Sequence, residues 1–167
     1  MAQDVLFITR EDVVRFTSTN GNVDVDRYLL YVKQAQDLSI QPLLGTKLFD
    51  KIKDDIIAGT LIDPYLSLLE DKIKPIVMHY TMVHYLPWAG VQISNKGLFK
   101  FTQENGVNVE NDEVSKLIEK SRSIAEHYAQ RFIDYMCFNQ SQFPEYYTNT
   151  NDDMYPTRNN YFGGWVL

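Results

Sequence analysis

The run from Asn111 to Phe138 contains neither glycine nor proline, and no other stretch limits the possible folds as strongly. Asn111 is a good N-cap, and Asp112 and Glu113 put negative charge beside the unpaired N–H groups of a first turn. The run predicts one helix of about 40 Å at about 1.5 Å per residue. Val114, Leu117, Ile118, Ser121, Ile124, Ala125, Tyr128, Phe132, Tyr135 and Met136 recur at steps of three and four, so they share one side. Past Tyr128 the pattern widens, because Ala129, Ile133, Cys137 and Phe138 add apolar surface on a second side. That end needs cover from more than one neighbour.

A chain of 167 residues suggests one domain large enough to bury a core. Hydrophobic and charged contents of 44% and 23% are those of an ordinary globular protein. No segment approaches the ~18 apolar residues of a membrane span, and MAQDVLFITRED lacks the features of a secretion signal, so a cytoplasmic product without membrane contact is expected. The net charge of −6, with basic residues spread thinly among acids, argues against a grip on nucleic acid. The single cysteine, Cys137, excludes an internal disulfide and reads as a small buried apolar residue.

Taken in order, Thr9 and Asp12 form a capping box for a short helix from Arg10 to Phe16. Asp24 caps the next helix, with Tyr28, Val32, Ala35 and Leu38 on one stripe; Pro42 and Gly45 close it, Gly45 taking a left-handed conformation. Thr46 caps a third helix, with Leu48, Phe49, Ile52 and Ile56 inward and Gly59 as its stop. Asp63-Pro64 starts a fourth, with Leu66, Leu69, Ile73, Ile76, Val77, Tyr80 and Val83 in register. Pro75 predicts a kink or break within it, and the stretch from Ile76 to Trp88 should be the central core helix. Val91, Ile93 and Leu98 around Asn95-Lys96-Gly97 suggest a β-hairpin over about 91–102 that also carries Phe99 and Phe101. The expected architecture is mainly α: a bundle of four to five helices with a long C-terminal helix, a small hairpin projection and an extended C-terminal arm. Residues 1–138 form the body and 139–167 the arm.

The chemistry-bearing residues do not assemble into a motif. His79 and His84 are five apart, which is wrong for two ligands on one helical face, and no nucleotide-binding glycine pattern or nucleophile elbow occurs. No metal or cofactor is expected. A small enzyme with a site around His79, Tyr80 and His84 is the competing reading, and it requires those side chains to open into a concave pocket. The tail carries the stronger signal. Phe143, Tyr146, Tyr147, Tyr155, Tyr161, Phe162 and Trp165 lie among Asn, Thr, Asp and Pro with no helical or alternating period. Such side chains anchor interfaces, so an arm that orders on a neighbouring subunit is expected, with the segment folded back over its own helices as the alternative.

The segments QAQDLSIQPLLGTKLFDKI, KPIVMHYTMVHYLPWA and AQRFIDYMCFNQSQFPEY, with the ending NTNDDMYPTRNNYFGGWVL, resemble the head–tail connector proteins of crAss-like tailed bacteriophages. Helix order and lengths are similar to those of the wider class of adaptors that form the first ring below the portal in tailed phages. The resemblance implies a virion protein that is not an enzyme. It would assemble in the host cytoplasm as a homo-oligomeric ring, commonly of twelve copies, bind the portal protein, and dock the next tail component. DNA would pass through its channel without specific binding. The partner-binding residues expected on this reading are those of the aromatic tail together with Asn95, Lys96, Phe99 and Phe101 of the hairpin.

Overall fold

Two prolines fall where regular helical bonding would fail, and the chain carries its helices past both. The computed structural model describes residues 5–16, 25–94, 97–100, 111–148 and 153–158. The fold is mainly helical, in the order α1 (Arg10–Phe16), α2 (Val25–Ala35), α3 (Gln41–Leu44), α4 (Thr46–Ala58), α5 (Tyr65–Leu68), α6 (Lys74–Tyr85), α7 (Asn111–Phe138) and α8 (Pro144–Tyr147). A π-turn, Gln36–Ile40, joins α2 to α3, and a second, Leu69–Ile73, joins α5 to α6. Their closing bonds reach five residues back, from Gln41 N–H to the Gln36 carbonyl and from Lys74 N–H to the Leu69 carbonyl. Pro42 and Pro75 follow at once, in the first turn of the next helix. A proline ring normally clashes with the carbonyl four residues earlier and leaves it unbonded; the wider turn carries that carbonyl aside. Pro75 therefore produces neither the expected break nor a lost helix, and Pro42 does not close its element.

The π-turns also change which residues face inward. One extra residue in a turn rotates the upstream stripe by about 100° against the downstream one. Leu38 and Leu66, expected inside, are 65% and 38% exposed, whereas Gln36 and Leu68 are buried. Tyr28, Val32 and Ala35 keep their inward positions, as do Leu69, Ile73, Ile76 and Val77.

As expected for the central helix, α6 packs chiefly between α2 and α7. Ile76, Val77, Met78, Met82 and Val83 are buried on it. Thr81 is also buried, and its hydroxyl donates to the Val77 carbonyl at 2.7 Å. Tyr85 receives the rings of Tyr28 and Tyr31 edge-on, with centroids 5.1 and 5.6 Å away. In α7 the fully buried positions begin only at Ala125 and continue through Ala129, Phe132, Ile133 and Met136. The stripe of its N-terminal half is real in period, yet Leu117 is 48% exposed and Val114 and Ile118 are half-buried. Cys137 and Phe138, expected under cover, are both exposed, Phe138 at 88%, because α8 packs back along the other side of the helix end.

The N-terminal segment is held by two polar devices. Gln36, buried in the first π-turn, accepts from Phe7 N–H at 2.6 Å through Oε1 and donates through Nε2 to the Val5 carbonyl at 3.1 Å. The Thr9–Asp12 capping box forms as expected, Thr9 N–H donating to Asp12 at 2.8 Å and Asp12 N–H to the Thr9 hydroxyl at 3.3 Å. Lys74 ties that box to α6, with Nζ 3.1 Å from Asp12 and 2.8 Å from Glu70. Burial alone would raise Asp12, but the bonds from Thr9 and the Lys74 ammonium outweigh it and hold the carboxyl below its ordinary value. Burial likewise opposes charge on Lys74, and Glu70 and Asp12 overcome it and raise the ammonium. The tie therefore contributes fully between the ordinary aspartate value of about 3.9 and the ordinary lysine value of about 10.4. Its contribution is lost as pH falls through the depressed Asp12 value or rises through the elevated Lys74 value. Asp12→Asn should lower stability by about 1–3 kcal/mol at pH 7 and flatten the acid limb of a urea-midpoint profile. A profile identical to that of the parent chain would show that the tie carries nothing.

Gly59 stops α4 as expected, at φ +66° and ψ +26°, with Thr60 N–H returning to the Asp55 carbonyl at 2.9 Å. Thr46 does not cap α4: Gly45 occupies the N-cap, at φ +74° and ψ +152°, outside left-handed helical values. Strands β1 (Val91–Ser94) and β2 (Gly97–Lys100) pair antiparallel, Val91 opposite Lys100 and Ser94 opposite Gly97. Among the described residues no helix is long and apolar enough to cross a membrane.

Candidate partner-binding surfaces

The aromatic residues after α7 divide between core and surface. Phe143 is fully buried, its ring edge-on to Tyr65 at 5.4 Å and tilted against Tyr135 at 6.1 Å. Tyr146 is buried against Phe132 at 5.8 Å. Tyr147 is half-buried and donates its hydroxyl to the Met136 carbonyl at 2.5 Å. Phe143 and Tyr146 are therefore corrected from partner anchors to core residues: Pro144 starts α8, which turns the chain back beneath the C-terminal end of α7 and onto α4. A hydrogen bond of 2.5 Å from the Tyr65 hydroxyl to Glu145 fixes that return. Burial and the Glu145 carboxylate both raise Tyr65, which stays a donor. The Tyr146 hydroxyl is buried with no hydrogen-bond partner among the described residues, and burial raises its pKa.

Residues 153–158 close over the junction of α3 and α4. Thr46 N–H donates to the Met154 carbonyl at 3.1 Å, Met154 N–H to the Thr46 hydroxyl at 3.2 Å, and Thr157 N–H to the Pro42 carbonyl at 2.9 Å. The Thr46 hydroxyl donates to Asp153 at 2.9 Å, which brings a carboxylate to the start of α4, where a helix favours negative charge. Pro156 is buried on Gly45 so closely that a Cβ there would lie 2.7 Å from two of its ring carbons. Beyond it, the Arg158 guanidinium lies over the rings of Tyr147, Tyr155 and Tyr146, at 4.8, 5.3 and 5.5 Å. This latch was not legible in sequence, because the hydrogen bonds that tie Thr46 and Pro42 to Asp153, Met154 and Thr157 join groups more than a hundred residues apart, two of them between backbone groups alone. The pair Gly45 and Pro156 was its only trace.

Tyr155 stays 54% exposed. Tyr161, Phe162, Trp165, Asn95, Lys96 and Phe101 lie outside the described residues, as does the side chain of Phe99, whose backbone pairs with Gln92 in the hairpin.

The histidines separate as well. His79 stacks on Tyr128 with ring centroids 5.8 Å apart and planes 16° from parallel, and burial lowers its pKa. Tyr80 and His84 do line a cavity of about 430 Å³, with Gln34, Ser39, Val83, Pro87, Trp88, Ile118 and Arg122. A second cavity of about 240 Å³ shares Ser39, Tyr80 and Arg122 with the first, and is continued by Leu38, Pro42, Leu43, Ala129 and Thr157. Together they form one groove along the seam of the first π-turn, α6 and α7. The Nε2 of His84 is buried there without a partner among the described residues, and burial, then Arg122, keeps the imidazole below its usual pKa and so neutral. No group of three or more potential metal ligands occurs among the described residues.

Large apolar side chains also remain uncovered elsewhere: Ile62 and Leu66 at the start of α5, Leu117 on α7, Trp88 beside the groove and Phe138 at the end of α7. Comparison with curated proteins gave no match, and comparison with solved structures gave none. Residues 40–154, from the end of the first π-turn to the latch, match the family DUF6712; the chain belongs to this family of unknown function.

Proposed function

We propose that the chain is a structural ring subunit of a tailed-phage head–tail connector, as its resemblance to crAss-like connector proteins implies. In this reading it sits beneath the portal, continues the DNA channel and presents a platform to the next tail component. The observation that supports it is the apolar surface left uncovered on α7: Leu117, in the N-terminal half where no position is fully buried, is 48% exposed, and Phe138, on a second side at the C-terminal end, is 88% exposed. A helix that buries its period over only half its length leaves the rest for another molecule. Ring closure brings one patch of each subunit against a different patch of the next, so these surfaces need not be self-complementary. The hairpin would project from the body to add a further contact, and the tail beyond the latch would act as the assembly arm. A net charge of −6 suits a channel wall along which DNA slides, since a basic wall would hold phosphates.

The double variant Leu117→Ser, Phe138→Ser tests this reading. Both positions are exposed, so stability should change by no more than about 1 kcal/mol in total. Entry into rings with the portal protein of the same virus, scored by negative-stain microscopy, should be lost. Rings of unchanged yield would overturn the proposal. A small-molecule site is the second reading, favoured by the position of Tyr80 and His84 at the groove. The stacking of His79 on Tyr128 leaves it without its third residue.

A further inference from the structure

The helix that runs without interruption from α5 through the second π-turn to α6 carries surfaces of complementary make-up at its two ends. At the C-terminal end lies the groove. Arg122 lines both of its cavities, is exposed, and forms no hydrogen bond or ion pair among the described residues. The rim around it is apolar. Leu38 is 65% exposed, Trp88 is exposed, and Leu30, one helical turn before the lining residue Gln34, is exposed too. A guanidinium that meets no carboxylate, set among apolar side chains, suits a carboxylate that arrives with apolar neighbours of its own.

The corner between α4 and α5 has that composition. Ile62 is 71% exposed, and Ile57 before it and Leu66 after it are exposed as well. Asp63 follows Ile62 directly and is exposed. Its Oδ1 accepts from Ser67 N–H at 3.1 Å and from the Ser67 hydroxyl at 2.5 Å, whereas its Oδ2 accepts no hydrogen bond among the described residues. One oxygen thus serves the start of α5 and the other stays open to a partner. The corner cannot reach the groove of its own copy, because from Leu66 to His84 the helix runs about 27 Å at about 1.5 Å per residue. Two different patches, held apart on one copy, are what a heterologous contact joins. We propose that the groove receives the α4–α5 corner of a second copy, with Ile62 against Leu38 and Trp88 and the Asp63 carboxylate on Arg122. The inference rests on the ring reading and names the two surfaces by which neighbours would meet: each copy gives its corner to one neighbour and accepts the corner of another.

The test mixes two full-length chains, both with the exposed Cys137 changed to Ser, one carrying Ile62→Cys and the other Leu38→Cys, and adds a short bis-maleimide with and without the portal protein of the same virus. The mixture should give a crosslinked dimer on a denaturing gel and each chain alone should give none. A chain that carries both cysteines should give a ladder of dimers, trimers and higher species. Absence of any product between positions 38 and 62 overturns the proposal, and so does an equal yield from Ile62→Cys alone, which would reveal a two-fold contact. Arg122→Glu, which sets a carboxylate opposite Asp63, should lower the yield about tenfold or more. The side chain is exposed, so the variant should keep the parent's urea midpoint, and an unchanged crosslink yield overturns the pairing. Closed rings are counted separately by native mass spectrometry. Rings that form without the crosslink sink this contact alone, whereas crosslinked chains that never close sink the ring reading on which the exchange of corners rests.

Discussion

Phe143→Ala should lower the unfolding free energy by about 3–5 kcal/mol, the cost of emptying a fully enclosed aromatic site. Phe143 is completely buried between Tyr65, on α5, and Tyr135, on α7. The turn at α8 cannot collapse to fill the space, because the Tyr65–Glu145 and Tyr147–Met136 hydrogen bonds hold it on both sides. Urea denaturation reads the loss directly. A change under about 1 kcal/mol would return Phe143 to the role of surface anchor that its sequence suggests. Tyr146→Phe provides the contrast. The hydroxyl it removes is buried without a partner among the described residues, so the variant should match or exceed the parent in stability.

Gly45→Ala should release the latch. The position combines a φ of +74°, which strains an L side chain by about 1–3 kcal/mol, with a Cβ contact of 2.7 Å to the Pro156 ring. Something must move, and Pro156 is held by fewer groups than α3 and α4. The expected results are a comparable fall in stability and faster tryptic cleavage after Arg158, whose guanidinium leaves its three tyrosine rings when the segment lifts. Gly59→Ala is the control. It shares the positive φ, +66°, but has open space where the Cβ would sit, so it should lose stability without speeding cleavage. Equal cleavage rates in both variants would show that the Gly45–Pro156 contact does not hold the latch.

The helical class, the central position of α6 and the Thr9–Asp12 box were legible because each rests on short-range period or on neighbours three residues apart. The placements of Leu38 and Leu66 were not. A π-turn leaves no mark in hydrophobic period except a stripe that slips by one residue, and it was the two prolines, at 42 and 75, that marked where the slip occurs. Proline inside a helical pattern signals a kink or a break, whereas here the chain widens the turn ahead of it. Phe143 and Tyr146 were misassigned because an aperiodic aromatic segment looks alike whether it covers its own chain or another. What separates the two outcomes is Pro144, which starts a helix and turns the backbone. Among the candidate site residues, Tyr80 and His84 line one groove, and His79 stacks on Tyr128 of α7 outside its lining. Arg122 was missed, since its meaning depends on a cavity formed by three elements.

On the proposed reading, the surface left uncovered by this fold serves to bind other copies of the chain. Native mass spectrometry over a rising concentration series, with and without the portal protein of the same virus, tests it most directly. The account predicts a single closed copy number, reached at least when the portal is present and lost in the Leu117→Ser, Phe138→Ser variant. A chain that stays monomeric in both series, with the variant indistinguishable from the parent, would contradict it.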